Sequence, residues 1–330
     1  MSGQRVVGSS VVRRFAVGCL LCAGWLGIGR PGWADEPLDP ATRMVHATLK
    51  LFHPRSTATG FLVEWPASRK AGRGECALVT AHHVLDQTAG ETLILVLRKR
   101  EADGKYSRLD HTIPVRKQEK PLWARHPKHD VAVLPVTLPE GTAVTPLPYS
   151  VLVTEATLRR LTLPVGSRVL ALSYPVRFEA NGAGFPVARQ AGLASFPLLP
   201  IEAHPHLLLD MNAFVGDSGG PVFALWRDAA PAVAPADKVS AIDNRVAAAN
   251  SEAAANLAAA EGDAPPATDL PIVLGLVTGQ VRNDEKVQTL FEERSVHHPL
   301  GLAVVVQAHW IRETIELANA APAPAAKPSE

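Results

Sequence analysis

The segment of this sequence best suited to covalent chemistry is Gly216-Asp217-Ser218-Gly219-Gly220. A serine hydroxyl is a poor nucleophile at neutral pH and needs a base within hydrogen-bond reach. A neutral histidine can serve, and an aspartate can fix its tautomer and steady the imidazolium that forms. Two upstream segments carry these residue types. Leu78-Val79-Thr80-Ala81-His82-His83-Val84-Leu85 runs an apolar stretch into a histidine pair, and His129-Asp130-Val131-Ala132-Val133-Leu134 sets an aspartate before another apolar stretch. Gly216, Gly219 and Gly220, without Cβ atoms, permit backbone conformations barred to other residues. A tight turn there can aim the N–H groups of Gly216 and Ser218 at one point, where an oxyanion would sit.

Each residue also has a plainer reading. Ser218 could lie incidentally in a glycine-rich hairpin turn. Of the two adjacent histidines, His82 and His83, one could be the base and the other a buried structural ring. Asp130 could simply cap a strand. Asp103 and Asp110 are poorer partners, because no apolar strand directly follows either. Asp217 reads as a residue that shapes the loop. The pairs His204/His206 and His297/His298 could in principle ligate zinc, but no HExxH motif or cysteine pair accompanies them. No metal and no cofactor are expected.

The elements that must position these residues are short. Apolar runs of 5–8 residues, rich in Val and Leu, recur between Gly, Pro, Asp and Asn. They fall at 45–52, 59–64, 76–80, 92–97, 131–136, 168–173, 187–194, 207–211, 221–226, 272–278 and 301–306. Helical periodicity is nearly absent until 307–317, where Trp310, Ile311 and Ile315 share one face. The pattern predicts an all-β barrel or sandwich class.

The ordered set of His83, Asp130 and Ser218 motifs resembles the trypsin-like (chymotrypsin-fold) serine peptidases, particularly bacterial members without disulfides. Residues 163–175 and Leu209-Asp210 also resemble strands of that family's second barrel. The resemblance covers roughly 45–317. It implies two six-stranded antiparallel β-barrels with a C-terminal helix. The first, about 45–140, would carry His83 and Asp130, and the second, about 160–310, would carry Ser218. It implies a serine endopeptidase with catalytic His83, Asp130 and Ser218, an oxyanion hole from Gly216 and Ser218, and substrate contacts from Asn212, Ala213 and Thr278. Protein or peptide substrates follow.

The sequence departs from that family in places. Animal relatives mature by cleavage before an Ile-Val-Gly-Gly start, whose new amino group pairs with the acid before the serine. No such start is present, so either Asp217 finds another partner or the enzyme is not controlled that way. Asn212, six residues before the serine, is not an acid, which argues against a preference for Arg or Lys. A protease-like binding module without activity is the alternative. An esterase on an α/β fold would use the same Gly-x-Ser-x-Gly letters on a strand-to-helix elbow, but the His, Asp, Ser order and the scarcity of helices oppose it.

Composition fits a globular protein. Of 330 residues 47% are hydrophobic and 20% charged, which excludes wholesale disorder, and a net charge of +1 gives no basic excess for nucleic acid. Residues 1–34 read as a signal peptide: Arg13 and Arg14, an apolar run at 15–28, then Gly32-Trp33-Ala34. Removing them takes four arginines and no acid, leaving 29 basic and 32 acidic residues, net −3, and leaves Cys76 as the one cysteine. The expectation is an exported protein, periplasmic or secreted, with no stable membrane insertion after signal removal. Residues 229–267 hold 17 alanines in 39 positions and read as a surface insertion between two strands, and 318–330 read as a disordered tail.

Overall fold

The computed structural model describes residues 38–66, 76–161, 163–225, 270–288 and 293–320. The expected signal peptide and the alanine-rich insertion lie outside these residues. Helix α1 (Pro40–Ala47) opens them. Its N-cap is Asp39, whose carboxylate accepts from Ala41 N at 3.0 Å and Thr42 N at 3.1 Å, with Pro40 in the first turn, where no N–H is needed.

The first lobe is a seven-stranded antiparallel sheet. Its strands are β1 (Thr48–His53), β2 (Ser56–Val63), β3 (Cys76–Thr80), β4 (Thr92–Arg100), β5 (Tyr106–Pro114), β8 (Ala124–Arg125) and β9 (Ala132–Val136), in the order β5-β4-β1-β2-β3-β9-β8. Two short strands, β6 (Arg116–Lys117) and β7 (Lys120–Pro121), pair apart from it. No ladder joins the β5 and β8 edges among the described residues, so the expected closed six-stranded barrel is here an open sheet. Alternate residues on its strands enter different cores, as a period of two requires. Leu62, Leu78 and Leu134 pack with Leu49, Leu51 and Leu95 inside the sheet. Phe61, Val63, Val79 and Val133 join the core shared with the second lobe.

The second lobe matches its expectation. Strands β10 (Arg168–Ser173), β11 (Val187–Leu193), β12 (His206–Asp210), β13 (Pro221–Ala224), β14 (Ile272–Gln288) and β15 (Glu293–Gln307) close a six-stranded barrel in the order β10-β11-β12-β15-β14-β13. Two short helices, α2 (His82–Asp86) and α3 (Glu155–Arg160), precede it, and α4 (Ala308–Ala320) follows it. Helix α4 buries Trp310, Ile311 and Ile315, the face read from the sequence.

Three local expectations are corrected. The strand expected at 45–52 begins at Thr48, because Asp39 and Pro40 start a helix that runs through Ala47. The tail expected from 318 is still helical through Ala320, with Ala318 buried, and its remainder lies outside the described residues. Strands β14 and β15 extend well beyond the expected 272–278 and 301–306 as a two-stranded ribbon, paired from Arg282↔Pro299 to Gln288↔Glu293. Among the described residues no helix is long and apolar enough to cross a membrane.

Candidate active site

His83 sits in α2, immediately after β3 ends at Thr80. Asp130 lies in the loop joining β8 to β9, where Ala124 faces Val133 and Arg125 faces Ala132. Since β3 pairs β9 along its whole length, with Thr80 opposite Ala132, the histidine and the aspartate leave the sheet side by side. Asp130 holds His83 at two points. Its Oδ1 accepts from the His83 backbone N–H at 2.9 Å, and its Oδ2 lies 2.6 Å from ring Nδ1.

Burial alone would push the Asp130 carboxyl up. The bonds from the His83 ring and backbone outweigh it, helped by the charges of His83 and His82, and hold it below the usual carboxylate range. An ionised carboxylate has no proton to give, so Nδ1 is the donor, and Nε2 of the neutral ring keeps its lone pair. The side chains of both residues are one-third exposed, open to a reactant. His82 instead faces Trp123, with ring centroids 6.4 Å apart.

The Asp130 loop is clasped from within. His126 N–H donates to Val131 O at 3.0 Å, and the His126 Nδ1 accepts from Lys128 N at 3.1 Å and His129 N at 3.0 Å. That ring therefore carries its proton on Nε2, which lies 3.5 Å from Glu313 of α4. Trp310, also on α4, stacks on His129 at 4.1 Å. Burial, with His126 and His206 nearby, pushes the His129 ring down to about 4. His206 is lowered by burial against the pull of Asp130.

Ser218 lies in the turn before β13, and its glycines are needed there. Gly216 has φ +102°, and a Cβ on it would fall 2.1 Å from the Tyr174 carbonyl oxygen. At Gly219, with φ +84°, a Cβ would fall 2.0 Å from the Thr59 carbonyl oxygen. Any side chain at either position would displace the turn. Among the described residues the N–H groups of Gly216 and Ser218 have no intramolecular acceptor. No hydrogen bond links Ser218 Oγ to the His83 ring among them either.

Asp217, with no Ile-Val-Gly-Gly start to pair with, has a side-chain partner. Arg189 on β11 reaches its Oδ2 at 2.5 Å, and the same oxygen accepts from Phe214 N at 2.7 Å. The Asp217 side chain is 1% exposed. Arg189 also donates to the Asn212 carbonyl at 2.9 Å and to Ser173 Oγ at 3.2 Å. The remaining expected residues differ in setting. Asn212 is exposed, Ala213 is buried, and Thr278 is half-buried, donating to Val304 O at 3.3 Å.

Sequence reasoning singled out neither Thr59, Arg189 nor His126. The absence of an Ile-Val-Gly-Gly start was the signal available for Arg189, since it asked for another partner for Asp217 without naming it.

A search of curated proteins finds no match. Among solved structures, the inactive form of a serine-to-alanine mutant of Rv3671c from M. tuberculosis H37Rv is 17% identical. That match covers 88% of this chain and 94% of that one, with a TM-score of 0.39. The Rv3671c protease, also in an inactive form, is 17% identical, with 85% and 92% covered and a TM-score of 0.38. Likeness this distant carries nothing about activity or substrate. The trypsin-like peptidase domain model, in contrast, matches residues 58–227, just over half the chain and the stretch from β2 through the serine turn. On that match, this chain belongs to the trypsin-like serine peptidase family.

Proposed function

We propose that the protein is a serine endopeptidase in which Ser218 attacks the peptide carbonyl, His83 takes its proton, and Asp130 orients and steadies the imidazolium. His83 then returns the proton to the leaving amine, and water hydrolyses the acyl-enzyme by the same route reversed. The observation that carries this reading is the two-point grip of Asp130 on His83, which leaves Nε2 as the basic nitrogen. The unpaired N–H groups of Gly216 and Ser218 support an oxyanion hole in the serine turn. No cofactor is called for. The first lobe, about 45–140, supplies the base and its aspartate, and the second, about 160–310, supplies the nucleophile.

Asn212, Ala213 and Thr278 are proposed to line the pocket for the residue before the scissile bond. None carries charge, and Arg189 is already paired with Asp217. An unpaired Lys or Arg side chain buried there would meet a large desolvation cost, so an uncharged residue is preferred. Residues 1–34 are proposed to direct export, to a periplasmic or secreted location.

The missing bond between Ser218 Oγ and His83 favours a second reading, a binding module with a protease fold. Catalytic hydrogen bonds often tighten only around substrate, which answers that objection. Peptide hydrolysis by wild type and Ser218→Ala, on matched substrates with Val or Arg before the scissile bond, separates the two. The expected result is a loss of kcat of at least about 10⁴-fold in the variant and faster cleavage after Val. A homogeneous variant with more than about a tenth of wild-type kcat contradicts the nucleophile. Preference for Arg contradicts the pocket.

A further inference from the structure

The turn that carries Ser218 is held by four carbonyl oxygens, and two of them end on one residue of the other lobe. Val215 O accepts from Val176 N at 2.7 Å, and Asp217 O accepts from Gly220 N at 2.9 Å. Ser218 O accepts from Thr59 N at 2.9 Å. Gly216 O accepts from the Thr59 hydroxyl at 2.7 Å. Of the four, Gly216 O is the one whose partner is a side chain.

In a trans peptide the C=O and the following N–H point in opposite directions. Fixing the carbonyls of Val215 and Asp217 therefore also fixes the N–H groups of Gly216 and Ser218, which point the other way and meet no acceptor among the described residues. Between those two peptides lies the Gly216–Asp217 peptide. Glycine at φ +102° has the least resistance to rotation of its flanking planes. Two bonds oppose that rotation: the Thr59 hydroxyl on the carbonyl at 2.7 Å and, at the other end of the same peptide, the Asp217 N–H donating to Phe214 O at 3.0 Å.

Thr59 is built for this position. It lies on β2, fully buried, and its hydroxyl also accepts from Tyr174 N at 3.2 Å. Its own carbonyl accepts from Thr80 Oγ1 at 2.7 Å, three residues before His83. One residue thus ties the end of the strand leading to His83 to the turn holding Ser218.

We infer that Thr59 is a positioning residue for the reaction proposed above: its hydroxyl holds the Gly216–Ser218 turn with both N–H groups set to receive the oxyanion. The inference rests on the serine-peptidase reading. Replacement by Val keeps the shape but leaves Gly216 O and Tyr174 N–H buried without partners. Removing one oxyanion donor outright costs about 10²–10³ in kcat in a studied protease, and a loosened donor should cost less.

The test compares wild type, Thr59→Val and Thr59→Ser for kcat, KM, pH profile and inhibition by a substrate-like peptide aldehyde. For Thr59→Val the expected loss in kcat is about 10–100-fold, with aldehyde affinity falling in parallel. KM and the midpoint of the pH profile should hold, because the contacts of Asp130 with His83 are untouched. Thr59→Ser should restore kcat to within about threefold, since it restores the hydroxyl. If Thr59→Val does not fold, Thr59→Ala gives the same reading without overfilling the site. Failure of both to fold, a kcat within twofold of wild type, a shifted pH midpoint or no rescue by Ser would each overturn the inference. An inert wild-type enzyme would instead sink the serine-peptidase reading itself.

Discussion

His82 and His83 differ by one position and have different neighbours. The ring of His83 meets the Asp130 carboxylate at 2.6 Å, while His82 lies against Trp123. His83→Ala should therefore lower kcat about as far as Ser218→Ala, by about 10⁴-fold or more, while His82→Ala should cost less than about tenfold. Both are read at saturating substrate, and a larger loss at His82 would reverse the assignment. At this scale the sequence was informative: the family resemblance, carried by Val84 after His83 and by the apolar run after Asp130, singled out the pair that the fold joins. Arg189 and Thr59 were not legible. Their partners, Asp217 and the Gly216 carbonyl, lie 28 and 157 residues away, and no local pattern encodes such a meeting.

At the scale of elements, position follows from pairing. The β3–β9 ladder delivers His83 and Asp130 together, and the β8–β9 hairpin, with His126 bonding its own loop, holds the aspartate in place. Strands with strong apolar character were readable. β5 was not, because most of its side chains reach solvent and Arg108, Asp110 and His111 interrupt the apolar pattern. The outer arms of β14 and β15 were missed for the same reason: Asn283 and Asp284 on one strand face His298 and His297 on the other. Pairing also bears on residues 230–268. Ala224 and Ile272, which bracket that stretch, are ladder partners across β13 and β14, so a short turn can join them. Replacing 230–268 by a short Gly/Ser turn should leave a folded, active enzyme, since halving a loop changes closure entropy by only about 0.6 kcal/mol. Thermal unfolding and peptide hydrolysis of the deletion check this, and loss of the folded state would make the segment part of the core.

For the whole molecule, the sequence indicated two barrels, and one closed barrel and one open sheet are found. Apolar runs announce strands but not whether the first and last of them meet. The lobes are joined by charged residues as well as by the shared core. Lys50 on β1 pairs with Glu179 at 2.6 Å, and buried Arg98 on β4 donates to Gly184 O at 3.2 Å, both reaching the segment between β10 and β11. Acid should loosen this assembly in a defined window. Burial holds the His129 ring near 4, below its ordinary 6.5, and also lowers His46 and His206. Between those values the unfolded chain binds more protons than the folded one, so stability falls as pH drops from 6.5 toward 4. Asp130, also lowered, acts later: its contribution is present above 3.8 and is lost as pH falls through its folded value. The urea midpoint should decline across the first window, and His129→Asn should flatten the decline. An unchanged slope would mean that His129 is not kept neutral by the fold.

The most direct test of the central claim is reaction with a fluorophosphonate, which modifies a serine only where a base activates it. Wild-type protein, His83→Ala and Ser218→Ala would be treated alike and the adduct mapped by mass spectrometry. A working His83–Asp130–Ser218 set gives one adduct, on Ser218, in wild type, with its formation slowed at least about 10³-fold in His83→Ala and absent in Ser218→Ala. A folded wild-type protein that forms no adduct, or one that labels equally fast without His83, would contradict it.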